Sequence, residues 1–152
     1  MICTEPGAAL SVFLDVVTAR SEQFTEVVFC APFIDTLTAR RLGVLAGRAR
    51  GTRCGITIIT APQGRRSLSQ VLSRIDEFGV LKITVRPDLH AKACLALARG
   101  RGGRSEAMIT SANLTSAAFC KNLELGVRAT SRSAPGRALL AQIRHALSQL
   151  SN

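Results

Sequence analysis

The sequence predicts an α/β protein in which helices cover both faces of a mixed β-sheet. Strand-like apolar runs alternate with stretches whose apolar residues recur at helical spacing. The strands are apolar on both faces, which is typical of a sheet buried between two helical layers. The chain has 152 residues, 47% of them hydrophobic, which is enough for one domain with its own core. We expect that single domain to span residues 1–152.

Three amphipathic helices and three apolar strands alternate in the first half of the chain. Asp35 and Ser67 precede two of the helical stretches, where a side-chain oxygen caps a helix N-terminus. In the second helix, Leu37, Leu42 and Leu45 are expected to face the core. The predicted order is helix 8–20, strand 26–33, helix 35–47, strand 55–60, a loop over 61–66, helix 67–78 and strand 80–85.

The second half of the chain is richer in strands. Two apolar runs, 89–98 and 106–111, flank the Gly-Arg turn 99–105, and this arrangement predicts a β-hairpin. Pro135 stands where a proline opens a helix, ahead of a stretch with apolar residues at helical spacing. The elements expected after the hairpin are a short helix at 116–119, a strand at 122–129 and a final helix at 135–150.

The charge of the chain favours a polyanionic partner. Twenty lysines and arginines, nearly all of them arginine, stand against ten acidic residues, which gives a net charge of +10. The guanidinium fork matches phosphate oxygens bidentately, so a nucleic acid fits this composition. The amino-acid usage of a GC-rich genome gives the same arginine bias and stays an alternative.

Two arginine-bearing segments are expected to touch a nucleic-acid backbone. One carries Arg65 and Arg66, and the other carries Arg99, Arg101 and Arg104 in the Gly-Arg turn. That turn lacks the Gly-Lys-Ser/Thr ending of a phosphate-binding loop, so it is not interpreted as a nucleotide cradle. Solvated loop charge is the alternative for both segments. Base stacking on aromatic side chains is not supported, because aromatic residues make up only 4% of the chain.

The five cysteines are interpreted as reduced side chains that mostly pack in the core. They are odd in number and widely spaced, and Cys30, Cys54 and Cys94 lie in apolar runs. We therefore expect no metal site and no cofactor. The N-terminus lacks the features of a signal peptide, and no apolar run reaches the roughly 20 residues that cross a bilayer, so a cytoplasmic protein without a membrane span is expected.

Four polar side chains are candidates for catalysis. His90 and Lys92 are two residues apart in a predicted strand, so they project from the same face. A lysine among Leu, Ala and Cys needs a partner or an anionic ligand, and a bound phosphate supplies one. Asn113 can donate to a phosphate oxygen, and Glu124 can accept from a histidine ring nitrogen. The alternatives are a strand end in solvent, a turn residue and an exposed strand position.

Three segments of the chain resemble the phospholipase D superfamily: L-H-A-K at 89–92, T-S-A-N-L-T at 110–115 and N-L-E-L-G-V at 122–127. The signature of that superfamily is His-x-Lys, then Asp, then Gly-Ser-x-Asn, then Glu or Asp. The resemblance covers about residues 24–130 and is closest to the single-motif nucleases. It implies the αβα phospholipase D-like fold and a site made of His90, Lys92, Ser111, Asn113 and Glu124. Two positions depart from the signature, since Leu97 replaces the Asp and Thr110 replaces the Gly.

The resemblance implies a metal-independent phosphodiesterase with a covalent phosphohistidine intermediate. His90 attacks phosphorus, and a second histidine protonates the leaving oxygen and then activates water. One chain has one such motif, and His145 lies on the final helix outside any His-x-Lys context. A homodimer is therefore expected to supply the second histidine. DNA is the expected substrate; the alternatives are a phospholipase or phosphatidyltransferase, and a catalytically silent DNA-binding or dimerisation module.

Overall fold

The computed structural model describes residues 2–3, 6–72, 80–122 and 124–152. In these residues seven strands form one mixed sheet in the order β1-β7-β6-β5-β2-β3-β4. The strands are β1 (Ile2–Cys3), β2 (Phe24–Cys30), β3 (Gly55–Thr60), β4 (Leu81–Val85), β5 (Ala93–Ala98), β6 (Glu106–Thr110) and β7 (Gly126–Thr130). The helices are α1 (Pro6–Ala19), α2 (Thr36–Ala49), α3 (Pro62–Val71), α4 (Ser116–Cys120) and α5 (Ala134–Ser151), with a 3-10 turn at Ser21–Gln23.

The direction of the strands decides which loops meet. β2, β3 and β4 run parallel to one another, whereas β5 is antiparallel to β2, β6 to β5 and β7 to β6. The ends of β2, β3, β4 and β6 therefore lie at the same edge of the sheet as the beginnings of β5 and β7. We call this the upper edge. The opposite edge, where β5 ends and β6 begins, is the lower edge.

Helices cover both faces of the sheet, which confirms the predicted fold class. Val27 and Phe29 of β2 pack in the core shared with α1, α2, α3 and α4. Their neighbours Val28 and Cys30 face the other way and pack in a second core with α5. This alternation is the period-2 rule for a strand buried on both faces. No helix in the described part of the chain has the length and apolar character needed to cross a membrane.

One predicted core residue and the predicted start of one helix were wrong. Leu37 was expected in the core but is 56% exposed, because α2 turns the side of Leu42 and Leu45 inward. The third helix begins at Pro62 rather than Ser67, since proline fits the first helical position, where no N–H is needed. The part of that predicted helix at 73–78 lies outside the described residues. The N-cap at Asp35 is confirmed, as its carboxylate accepts a hydrogen bond from the Thr38 N–H.

Candidate active site

Three segments that are distant in the sequence meet at the upper edge and carry the predicted site residues. Register pairs Cys30 with Ala93 and Ala93 with Ile109, so β5 begins beside the end of β2 and β6. One residue further, the Thr110 N–H donates to the Lys92 carbonyl over 3.1 Å. The Ser111 N–H donates to the Leu125 carbonyl over 2.8 Å. The backbone thus joins the segments of Lys92, Ser111 and Glu124 side by side.

His90 and Lys92 precede β5 instead of lying in the predicted strand 89–98, because β5 begins only at Ala93. Strand pairing begins only at Ala93, so His90 is exposed and Lys92 is half-buried. The Lys92 ammonium donates to the His90 carbonyl over 3.1 Å. Within the described residues the His90 ring has no hydrogen-bond partner. Both side chains therefore remain accessible to a substrate at the upper edge.

The loop that joins β4 to β5 and carries His90 is held by hydrogen bonds at its beginning, although His90 itself is exposed. The Arg86 N–H donates to the Thr60 carbonyl over 2.9 Å, and its guanidinium donates to the Leu150 carbonyl over 3.0 Å. The Leu89 N–H donates to the Arg86 carbonyl over 3.2 Å, and the Leu89 side chain is buried against the α5 core. The last turn of α5 thus anchors Arg86, and the core beneath α5 anchors Leu89, which precedes His90.

Glu124 was predicted within strand 122–129, but β7 begins only at Gly126, so Glu124 precedes the strand. The serine of the Ser-x-Asn segment holds its carboxylate. The Ser111 hydroxyl donates to one carboxylate oxygen of Glu124, and Asn122 donates to the other over 3.4 Å. The Leu125 N–H in turn donates to the Ser111 hydroxyl oxygen over 3.0 Å. The expected hydrogen bond from a histidine ring to Glu124 is not formed within this chain among the described residues. The carboxylate is nevertheless held in a defined position next to Ser111.

Asn113 lies in the tight turn after β6 with unused hydrogen-bonding capacity. Its neighbours Ala112 and Leu114 are buried, and its own Oδ1 atom is buried without a donor among the described residues. A buried acceptor without a partner costs about 1–3 kcal/mol, and such atoms are few in native proteins. An atom of this kind marks a place where a ligand, a water molecule or another chain can complete the structure.

Asp35 holds the turn that carries Asn113 in place through hydrogen bonds, a role that was not predicted from the sequence. Besides capping α2, its carboxylate accepts from the Ser116 N–H over 2.7 Å and from the Ser116 hydroxyl, so it also binds the first residue of α4. The Leu114 N–H donates to the Phe33 carbonyl, and the Asp35 N–H donates to the Leu114 carbonyl, each over 3.1 Å. No local pattern signals this contact, because Ser116 is 81 residues away.

The electrostatics of Asp35 follow from these contacts. Burial by itself raises the pKa of this carboxyl group, but the hydrogen bonds from Ser116 and Thr38 outweigh burial. The pKa of Asp35 therefore lies below its usual value, and the carboxylate is ionised at neutral pH. An ionised carboxylate at two helix N-termini also interacts favourably with both helix dipoles.

A buried thiol contacts the backbone next to His90. Cys30 Sγ donates to the Ala91 carbonyl over 3.7 Å. Burial raises the pKa of this thiol to about 11, against the opposing positive charge of Lys92, so Cys30 is protonated and unreactive at neutral pH. Cys54 and Cys94 are also buried, as predicted, whereas Cys120 is exposed. In the described residues no group of three His, Cys, Asp or Glu side chains is placed to hold a metal ion.

The two arginine-bearing segments lie at opposite ends of the sheet. Arg65 and Arg66 are exposed near the start of α3, at the upper edge with His90. The Gly-Arg turn with Arg99, Arg101 and Arg104 is at the lower edge. Six residues of β5 separate it from the candidate site, which is about 20 Å at 3.3 Å per residue. The structure therefore does not place the arginines of the turn beside His90.

Comparison with known proteins identifies similar folds. No protein-family model and no curated protein matches the sequence. Among solved structures, Nuc from Salmonella typhimurium, a phospholipase D family member, superposes with a TM-score of 0.58 at 18% identity, over 98% of this chain and 93% of Nuc. NucT from Helicobacter pylori has a TM-score of 0.58 at 14% identity, over 97% of this chain and 94% of NucT.

A larger protein contains the same fold as one part. Polyphosphate kinase from Porphyromonas gingivalis superposes on 99% of this chain with a TM-score of 0.67 at 13% identity, but the chain spans only 25% of that kinase. Identities this low show the fold and not the activity. These superpositions each cover nearly the whole of this chain and agree on one conclusion: the chain has the phospholipase D fold.

Proposed function

We propose that the protein is a metal-independent phosphodiesterase that cleaves nucleic acid, with DNA as the preferred substrate. The observation that carries the proposal is the meeting of His90, Lys92, Ser111, Asn113 and Glu124 at one edge of a phospholipase D fold. Three separate segments bring these residues there, and the backbone hydrogen bonds between the segments keep them together. A nucleophile, two phosphate-binding groups and a fixed carboxylate are the parts of a phosphodiester-cleavage site that one chain supplies, and a general acid completes the site.

In the proposed reaction the ring nitrogen of His90 attacks phosphorus and the bond to the leaving oxygen breaks. A second histidine donates a proton to that oxygen and then takes a proton from a water molecule that attacks phosphorus. A phosphorus–oxygen bond forms, the phosphorus–nitrogen bond breaks, and His90 is released. Lys92 and the Nδ2 donor of Asn113 hold the non-bridging oxygens as negative charge develops. We propose that these donors take the place of a metal ion; the Glu124 carboxylate already binds Ser111 and Asn122.

The second histidine comes from a second copy of the chain. His145 is exposed on α5, outside the three segments that form the candidate site. Large apolar side chains flank the candidate site and are available for an interface: Phe33 is 49% exposed and Leu125 is 70% exposed. An isologous dimer across this edge would bring two copies of His90 to one phosphate and would cover these side chains.

The charge of the chain supports a nucleic-acid substrate. The net charge is +10, and Arg65 and Arg66 lie at the same edge as His90. The same fold occurs in TrmBL2, an archaeal chromatin protein with a novel mode of DNA binding, which matches all of this chain with a TM-score of 0.55. That neighbour, together with Leu97 at the position of the usual Asp, supports a second candidate function: a DNA-binding module without catalysis.

Cleavage of supercoiled plasmid DNA distinguishes the two functions. The wild-type protein should nick the plasmid in excess EDTA, His90→Ala should be inactive, and His145→Ala should cut at the wild-type rate. Binding of the plasmid by all three proteins without cleavage would favour the silent module. Activity that EDTA abolishes and Mg²⁺ restores would contradict the proposed mechanism.

A further inference from the structure

The lower edge of the sheet contains a cavity that the proposed function does not use. Its volume is about 720 Å³, within the range of about 300–1,000 Å³ that is usual for sites of small molecules. It lies between α1 and the Gly-Arg turn 99–105, and its floor is formed by the beginning of β2, the end of β5 and the beginning of β6. About 20 Å of sheet separate it from His90, so it is not an extension of the candidate active site.

Helix α1 contributes an apolar wall to the cavity, and part of that wall is exposed to solvent. Phe13 and Val17 are buried in the core, but Val12 is 58% exposed and Val16 is 42% exposed, and all four line the cavity. Residues four apart lie one above the other on a helix, so Val12 and Val16 form a continuous apolar strip. Helix α1 therefore carries more apolar surface than the core of this chain covers.

The rim of the cavity is positively charged. Arg20, Arg99, Arg104 and Arg128 line it against two acidic residues, Glu22 and Glu106. Glu106 already pairs with Arg128 at 2.5 Å and Arg104 at 3.5 Å, and its side chain is only 14% exposed. This ion-paired group holds the β6–β7 side of the rim together. The rim therefore has a net positive charge, and the carboxylate of Glu106 is already ion-paired with two of its arginines. Such a rim complements an anion.

Two of these arginines retain donors for a ligand. One Arg99 guanidinium nitrogen donates to the Phe24 carbonyl over 3.2 Å, which leaves its other N–H groups available. The Arg20 side chain makes no hydrogen bond or ion pair with the residues that the structure describes. Arg20 follows the end of α1, one turn beyond Val16, so its charge stands directly after the apolar strip.

We propose that this cavity binds a small amphipathic anion, with its apolar body against Val12 and Val16 and its carboxylate or phosphate head group on Arg20 and Arg99. A nucleic-acid backbone fits the cavity poorly, because it presents charge at regular short intervals and has no apolar segment to cover the valines. Arg99 and Arg104, the arginines of the Gly-Arg turn that line the cavity, then serve this site and not the phosphodiester substrate. The inference does not depend on the proposed function.

Calorimetric titration with decanoate and with decyl phosphate, below their micellar concentrations, tests the proposal. Both should bind with saturation at one molecule per chain, and decyltrimethylammonium should not bind. Val16→Glu should weaken binding at least tenfold, because it removes apolar wall and repels the anion, and Arg20→Glu should do the same. The matched controls Val44→Glu on α2, at a site 55% exposed, and Arg53→Glu should bind as the wild type does.

Three results would overturn the inference: no binding of either anion at millimolar concentration, equal binding of the cationic amphiphile, or equal weakening in the control variants. Displacement of decanoate by a twelve-nucleotide DNA strand, lost in Arg20→Glu, would assign the rim to nucleic acid and would equally overturn it. If Val16→Glu does not fold, as judged by its far-ultraviolet spectrum, Val12→Glu at the more exposed position takes its place.

Discussion

Replacement of Asp35 by alanine should destabilise the protein by about 2–3 kcal/mol at neutral pH. The carboxylate accepts from the N–H groups of Thr38 and Ser116, so its loss removes the N-cap of α2 and an acceptor for the first residue of α4, which Thr115 still caps. Loss of an N-cap typically costs about 0.5–2 kcal/mol and loss of a further hydrogen bond about 0.5–1.5 kcal/mol, which together give the estimate. Asp35→Asn should lose less, because an amide oxygen still caps α2 while the NH₂ group cannot accept from Ser116.

Urea denaturation followed by circular dichroism measures this difference. The control is Asp15→Ala, which removes a carboxylate that is 71% exposed and pairs with Arg41 at 2.8 Å on the surface. Exposed ion pairs contribute about 0–1 kcal/mol, so the control should lose little stability. If Asp35→Ala loses less than about 0.5 kcal/mol, or no more than the control, these contacts do not stabilise the fold and the reasoning is refuted.

The effect of Asp35 should also depend on pH with a definite sign. The pKa of this group is lower in the folded state than in the unfolded chain, so ionisation favours folding. Its contribution is complete above the unfolded pKa, near pH 4, and is lost as the pH falls through the folded pKa. The stability difference between wild type and Asp35→Ala should therefore be largest at pH 7 and smaller at pH 3. A difference that grows on acidification would contradict this account.

Further predictions concern packing and the site. Gly64→Ala should lose about 1–3 kcal/mol, because a Cβ there overlaps the Thr60 hydroxyl, whereas Gly47→Ala, with nothing near its Cβ, should gain about 0.5–1 kcal/mol in thermal melts. Lys92→Ala should slow plasmid cleavage about 10²–10³-fold through loss of charge stabilisation, and an unchanged rate would remove Lys92 from the site. Cys30 should resist iodoacetamide at pH 7 in the folded protein and react in urea, because burial raises its pKa to about 11; mass spectrometry of the labelled peptides shows which occurs.

The fold class could be predicted because it depends on local periodicity. The β5–β6 hairpin, strand β3 and the Asp35 cap follow from residues within a few positions of one another. The distance between the Gly-Arg turn and His90 could also have been predicted, because the whole of strand β5 lies between them.

The parts that could not be predicted depend on contacts that are distant in the sequence. β5 begins at Ala93 because its pairing partners on β2 and β6 end there, and no feature of the segment around His90 shows this. The same reason applies to Glu124, which precedes β7 and is held by Ser111. The contact of Asp35 with Ser116 and the cavity beside α1 both arise from tertiary packing.

The central claim is that His90 attacks phosphorus, and trapping the covalent adduct tests it most directly. The substrate is bis(p-nitrophenyl) phosphate, and the reaction is quenched in alkali, in which phosphohistidine persists. Mass spectrometry should then find a nitrophenyl phosphate group on the peptide that contains His90 in the wild type, and no adduct in His90→Ala. Hydrolysis at the full rate with an unmodified His90, or an adduct on His145 in its place, would contradict the account.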